Sequence, residues 1–70
     1  MFILNENACL EFNGKTQRDI ANKIGINEQT LSRILHKKQT CSKLIAYCLT
    51  KLNDENAEIS DYFEYVENGD

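Results

Sequence analysis

The 70-residue sequence contains no proline, no tryptophan and only three glycines. Proline and glycine are the residues that most often interrupt helices, so few positions here forbid helix formation. A long alternation of apolar and polar residues, the pattern typical of a strand, is also missing. Ile, Leu and Ala recur instead at helical spacing. The sequence therefore predicts an all-α domain, and its length leaves no room for a deep catalytic cleft.

The cysteines are poorly arranged for a structural role. The three cysteines Cys9, Cys41 and Cys48 leave at least one thiol unpaired, and no CxxC pair occurs, so a disulfide framework is not expected. The spacing of His36 from Cys41 and Cys48 matches no common zinc site. Free cysteine on an apolar helix face behaves as a small hydrophobe. We expect no metal ion, no cofactor and no enzymatic activity.

Long apolar runs are missing as well. No stretch approaches the roughly 18 apolar residues that span a bilayer, and the first residues lack the basic start of a signal peptide. No linker or repeat divides the chain. We expect one cytoplasmic domain over residues 1–70, with no membrane partner.

The net charge of −3 hides a strong segregation of charge along the chain. All eight Lys and Arg residues lie between Lys15 and Lys51, where the only acids are Asp19 and Glu28, so this segment carries a net +6. Residues 52–70 contain seven acids and no base. A basic centre favours a polyanionic partner and would orient the domain on it.

Apolar spacing and capping residues predict five short helices, over about 6–13, 16–24, 28–36, 41–52 and 58–66. Thr16 and Asp19 can form a capping box, Gly25 can take the positive φ that ends a helix, and Asn27 can cap the next one. A strand over residues 2–4 is an alternative for the N-terminus, but no partner strand is evident. The clearest amphipathic stripe belongs to the helix at 41–52, capped by Thr40, and consists of Cys41, Leu44, Ile45, Cys48 and Leu52.

The segment TQRDIANKIGINEQTLSRIL, residues 16–35, carries a family resemblance. It has a Gln opening the first helix, Ile-Ala in its second turn, Gly-Ile at the turn, and Leu and Ile in the second helix. This pattern resembles the phage Cro and cI repressor class of helix-turn-helix domains, also called the XRE-like family. The resemblance implies a compact all-α bundle of about five helices, the lambda-repressor-like DNA-binding domain, with the motif at about 16–36. Small Ala21 would let the two helices cross closely.

The same resemblance implies a function. Such a protein is a sequence-specific transcriptional regulator, usually a repressor, that binds double-stranded DNA as a homodimer with its second helix in the major groove. The abundance of Asn, Ile and Lys favours a phage, a mobile element or a low-GC bacterium as its source. His36-Lys37 stands where family members often have Asn-Gly.

Specific residues follow from this resemblance and from side-chain chemistry. The residues expected to read base edges are Asn27, Glu28, Gln29, Thr30, Ser32 and Arg33. Gln can pair with adenine and Arg with guanine, each good pair giving about 1–3 kcal/mol of discrimination. The residues expected to contact phosphates are Thr16, Gln17, Arg18, Lys23, Lys37, Lys38 and Lys43. For each, the competing interpretation is an ordinary solvent-exposed side chain.

The acidic, aromatic C-terminus has two interpretations. Its apolar residues could close the core or form a dimer interface, as C-terminal helices commonly do in this family; they are Ile59, Tyr62, Phe63, Tyr65 and Val66. Its acids favour a second hypothesis for the whole protein. On that hypothesis, the chain is a protein-binding module on a helix-turn-helix scaffold, such as an antirepressor, an antitoxin or a phage inhibitor of a host protein, and its acidic C-terminal segment binds the partner.

Overall fold

The computed structural model describes residues 1–12 and 14–67. The elements in chain order are β1 (Phe2–Leu4), α1 (Gln17–Ile24), α2 (Glu28–Leu35), α3 (Lys43–Asn53), α4 (Ile59–Tyr62) and β2 (Phe63–Tyr65). The prediction of an all-α, five-helix bundle is therefore wrong. The described chain combines four helices with a small antiparallel sheet.

The sheet joins the two ends of the described chain. β1 and β2 pair antiparallel, with Leu4 opposite Phe63 and Phe2 opposite Tyr65. On its other side, β1 is bridged to Cys41, which exchanges two backbone hydrogen bonds with Phe2 at 2.8 and 2.7 Å. The strand considered for residues 2–4 thus exists. Its partner, β2, lies in the segment 58–66, which was predicted to be one helix. The helix formed there, α4, ends at Tyr62, and β2 follows directly.

The helix predicted over residues 6–13 is not formed. Residues 5–12 contain no helix, and Asn13 lies outside the described residues. Ala8, Leu10 and Phe12 pack against the core while Cys9 and Glu11 between them are exposed. That burial has a period of two, which suits an extended segment and not a helix. The spacing of Ala8, Cys9 and Phe12 was therefore misleading.

The two middle helices match their predictions. Thr16 and Asp19 form the capping box at the start of α1, and Gly25 ends that helix with a φ of +88°. The Asn27 side chain accepts a 2.7 Å hydrogen bond from the Gln29 N–H at the start of α2. These signals are local in sequence, which is why they could be interpreted without the rest of the fold.

The predicted stripe on the next helix is correct only in part: Cys41 is buried, and Ile45 and Leu52 are half-buried against the core. α3 begins at Lys43 after Ser42, whose hydroxyl accepts from the Ile45 N–H, so Cys41 and Thr40 lie outside it. The fully buried face consists of Ala46, Leu49 and Thr50. Leu44, predicted to be buried, is 71% exposed.

The hydrophobic core lies where the helices meet the sheet. Leu4 and Phe63 contribute the sheet side of the core, Cys41 adds a side chain from the segment bridged to β1, and the helices contribute the remainder. The buried helical residues are Ile20, Ala21, Leu31, Ile34, Ala46 and Leu49. This core fixes α2 with one face inward and the opposite face in solvent, which positions the candidate site.

Candidate nucleic-acid interface

α1 and α2 form a helix-turn-helix with a short connection. The Gly25 and Ile26 N–H groups both donate to the Ala21 carbonyl oxygen, at 2.8 and 2.9 Å. These bonds satisfy a helix end that would otherwise lack partners, and only glycine adopts the required positive φ without strain. The turn therefore sets the angle at which α2 leaves α1.

Burial fixes the rotation of α2 about its own axis. Leu31 and Ile34 are buried at 0% and 1% exposure, and they face the equally buried Ile20 and Ala21 of α1. Removing four such side chains from water stabilises the pair by several kcal/mol in total, about 1.5–3 kcal/mol for each large one. The polar positions of α2 consequently point away from the core.

The predicted base-reading residues differ in how far they are exposed on this outer surface. Asn27, Glu28, Gln29 and Arg33 are exposed, whereas Thr30 and Ser32 are half-buried. The Asn27 side chain is committed to capping α2. Gln29 and Arg33 are thus the two exposed residues with side chains long enough to reach a base edge and with neither a side-chain hydrogen bond nor an ion pair among the described residues.

Glu28 has a cationic neighbour on the first helix. Arg18 Nε lies 3.7 Å from Glu28 Oε1, the only ion pair within residues 1–12 and 14–67. The side chains are 76% and 50% exposed, so the pair contributes little stability. Its consequence is electrostatic, because the guanidinium offsets the negative charge that Glu28 would bring toward a polyanion.

The end of α2 is built from His36 and Lys37. His36 Nδ1 lies 2.7 Å from the Ser32 carbonyl oxygen, so Nδ1 carries the proton and donates to it. Lys37 has a φ of +64°, and the Lys37 and Lys38 N–H groups donate to the carbonyls of Ile34 and Arg33. This is the left-handed helix ending that glycine normally supplies. Here a lysine fills it.

The Lys37 side chain contacts a distant segment of the chain. Its Nζ donates a 2.8 Å hydrogen bond to the Glu6 carbonyl oxygen, 31 residues earlier in the chain. It therefore joins the segment at 5–12 to the end of α2. Lys37 was predicted to contact phosphate, and this bond uses one of the three N–H donors of its ammonium group. The sequence carried no signal for this contact, because neither residue stands in a local motif.

The other predicted phosphate ligands are exposed: Thr16, Gln17, Arg18, Lys23, Lys38 and Lys43. Thr16 and Gln17 stand at the N-terminus of α1, where free N–H groups and the helix dipole favour an anion. Lys23 lines a groove with Tyr47 and Lys51 of α3 and with no residue of α2. Lys15, which was not singled out, is exposed just before α1.

The residues predicted for a dimer interface divide clearly. Phe63 is 2% exposed and belongs to the core, whereas Tyr65 is 65% exposed and its ring contacts the edge of Phe2 at a centroid distance of 5.6 Å. Ile59, Tyr62 and Val66 are half-buried. Of this set, Tyr65 offers the most free apolar surface.

The thiols and acids form no metal cluster within the described part of the chain. Burial raises the pKa of the Cys41 thiol to about 11, which keeps it protonated. Cys9 is exposed and Cys48 is half-buried. No described helix combines the length and apolar character needed to cross a membrane.

No protein-family model, curated protein or solved structure matches the chain.

Proposed function

We propose that the protein is a sequence-specific double-stranded DNA-binding regulator whose α2 enters the major groove. The observation that carries the proposal is the free side chains of Gln29 and Arg33 on the solvent face of a helix held rigidly by α1. Gln can donate to and accept from adenine, and Arg can donate two bonds to guanine. Repression, by covering a promoter, follows from the family resemblance.

Positive charge near α2 supports the same proposal. Lys15, Arg18, Arg33 and Lys38 are exposed, and they lie on or next to the helix-turn-helix in sequence. Phosphate contacts supply most of the affinity of such proteins and release counterions on binding. The affinity should therefore fall steeply as salt rises.

A homodimer is part of the proposal, because one short recognition helix reads too few base pairs for a specific site. Within residues 1–12 and 14–67, β2 is paired on one side only, with β1, whereas β1 is also bridged to Cys41. An outer strand presents backbone groups that can pair with a second copy. Exposed Tyr65 on this strand would then be buried between the protomers, so Tyr65→Glu should yield a monomer by sedimentation equilibrium. Leu44→Glu, at an exposed site on α3, is the control.

A protein-binding role through the acidic C-terminus remains the second candidate. It is favoured by a shallow cleft in which Glu6, Asp61 and Glu64 come together. Three acids on one surface could receive a basic partner. The double variant Asp61→Asn with Glu64→Gln should then lose binding of that partner and keep its affinity for DNA.

Selection of bound sequences from a random duplex pool tests the main proposal. Recovered sites should share a short motif repeated with two-fold symmetry, and Gln29→Ala with Arg33→Ala should abolish enrichment. A matched variant, Asn22→Ala on the exposed face of α1, should retain it. Equal enrichment by the double variant would overturn the role of α2.

A further inference from the structure

The outward face of α3 carries apolar residues at positions where a surface helix normally has polar ones. Leu44 is 71% exposed, and Tyr47, one helical turn later, is 50% exposed. The core does not need either side chain, because Ala46, Leu49 and Thr50 fill the buried face of α3. Exposed apolar residues that adjoin one another are typical of a surface that binds something.

Grooves lie on both sides of Tyr47. One is lined by Ile24, Cys48 and Leu52 together with Lys23. The other is lined by Phe2 and Ile59 together with Lys43. We call Leu44, Tyr47 and these two grooves the α3 face. Its floor is mainly apolar, and an inserted side chain could bury area on either side of the tyrosine ring.

The α3 face carries three lysines. Lys23, Lys43 and Lys51 line its grooves, and within the described residues no carboxylate lies within ion-pair distance of any of them. Lys51 is fixed in place, because its Nζ donates to the Glu55 and Ala57 carbonyl oxygens at 3.2 and 2.7 Å. It also lies 5.6 Å from the centroid of the Tyr47 ring. Glu58 is the single acid that lines either groove.

We propose that the α3 face binds an acidic amphipathic helix of a partner protein. Apolar side chains of that helix would occupy the grooves beside Tyr47, and its carboxylates would meet the three lysines. A second copy of this chain is a poorer occupant, since a two-fold contact through α3 would place the same lysines opposite one another. A DNA backbone is poorer too, because phosphates would leave Leu44 and Tyr47 without apolar partners.

The test is an NMR titration of the full chain with a synthetic helical peptide. The peptide carries Leu and Phe at positions i, i+3, i+4 and i+7 and Glu at the remaining positions. We expect saturable chemical-shift changes at Lys23, Tyr47 and Lys51. Tyr47→Ser and Leu44→Ser should each weaken binding about tenfold or more, as loss of a central anchor does. Tyr47→Phe keeps the buried area and should bind as the wild type does.

Several controls make the result decisive. Lys38→Ala, which removes a lysine outside the α3 face, should leave peptide affinity unchanged. Amide spectra of the Ser variants should match the wild type outside α3, since both positions are solvent-exposed. Their DNA affinity should be unchanged as well, because neither residue belongs to the proposed DNA interface. Gln29→Ala and Arg33→Ala should keep full peptide binding, so the two proposals can fail separately.

Three outcomes would overturn the proposal. The first is equal binding of polyglutamate of the same charge, which would make the apolar grooves irrelevant. The second is absence of saturable shifts at millimolar peptide. The third is preferential binding of a random-sequence duplex or of phosphatidylserine vesicles at these residues, which would assign the α3 face to phosphates or to lipid.

Discussion

Lys37 Nζ and the Glu6 carbonyl oxygen are joined by a 2.8 Å hydrogen bond, although Lys37 itself sits in a left-handed backbone conformation with a φ of +64°. The contact pins the N-terminal segment to the end of α2. Lysine supplies the side chain that makes this hydrogen bond, but its backbone is strained at a positive φ. Glycine would adopt that φ without strain and would lose the hydrogen bond. The stability of two variants separates these effects.

Lys37→Gly should be more stable than Lys37→Ala by about 1 kcal/mol. Both variants lose the bond to Glu6, but only glycine relieves the positive φ. In a domain of this size, the difference corresponds to roughly 4–8 °C in Tm by thermal unfolding. An alanine variant as stable as the glycine variant would contradict the left-handed ending of α2.

Ala21→Leu should strongly destabilise the domain. Ala21 is 1% exposed and belongs to the core cluster that also contains Leu31 and Ile34 of α2, so the larger side chain should push the helices apart. Overpacking of this kind costs about 1–3 kcal/mol, which is a large share of the stability of a small domain. Asn22→Leu, at the exposed neighbouring position, should change the free energy of unfolding by less than about 0.5 kcal/mol. Equal melting temperatures for the two variants would show that the helices do not cross at Ala21.

Thr50→Val should stabilise the protein. Thr50 is fully buried, and within the described residues its Oγ1 has no hydrogen-bond partner. Replacing the hydroxyl with a methyl group of similar shape removes the cost of desolvating it, so we expect a gain of about 1 kcal/mol in the free energy of unfolding. Chemical denaturation measures the change, and a loss of stability would mean that the hydroxyl is satisfied after all.

Cys41 should resist alkylation while Cys9 reacts. Its pKa is raised from 9.0 to about 11 by burial, so at pH 8 it is neutral and enclosed, whereas Cys9 is exposed. Mass spectrometry after brief iodoacetamide treatment should locate the label on Cys9 before Cys41. Labelling of Cys41 at the rate of Cys9 would contradict its burial.

The same raised pKa has a consequence for stability. The unfolded chain loses the Cys41 proton near pH 9, and the folded chain keeps it until about pH 11. The contribution of this thiol to stability is therefore full below pH 9 and declines between pH 9 and 11. Cys41→Ala, measured by denaturation across that range, should show a smaller decline than the wild type.

The parts of the fold that were predicted correctly rest on neighbouring residues. The Thr16–Asp19 capping box, the turn at Gly25 and the Asn27 cap each involve residues within five positions of one another. The inward residues of α2 follow from helical spacing alone. The exposure of Glu28, Gln29 and Arg33 was predictable for the same reason, whereas Thr30 and Ser32, also expected to face solvent, are half-buried.

The parts that were wrong depend on distant pairing. β1 becomes a strand because Phe63–Tyr65 lies beside it, about 60 residues later, and neither segment is long enough to show a strand pattern. Ala8, Cys9 and Phe12 were interpreted as one helical face, but the half-buried residues are Ala8, Leu10 and Phe12, with Cys9 exposed. Leu44 had helical spacing suited to the core, but packing against the rest of the fold buries Ala46, Leu49 and Thr50 of α3 instead.

The central claim is that α2 reads DNA through Gln29 and Arg33. The most direct measurement is the affinity of the wild type and of Arg33→Ala for a duplex selected from a random pool, compared with a scrambled duplex at two salt concentrations. We expect the wild type to prefer the selected duplex and to lose affinity steeply with salt. Arg33→Ala should lose about 1–3 kcal/mol of that preference. Equal affinity of the wild type for both duplexes, or a preference unchanged in Arg33→Ala, would contradict the claim.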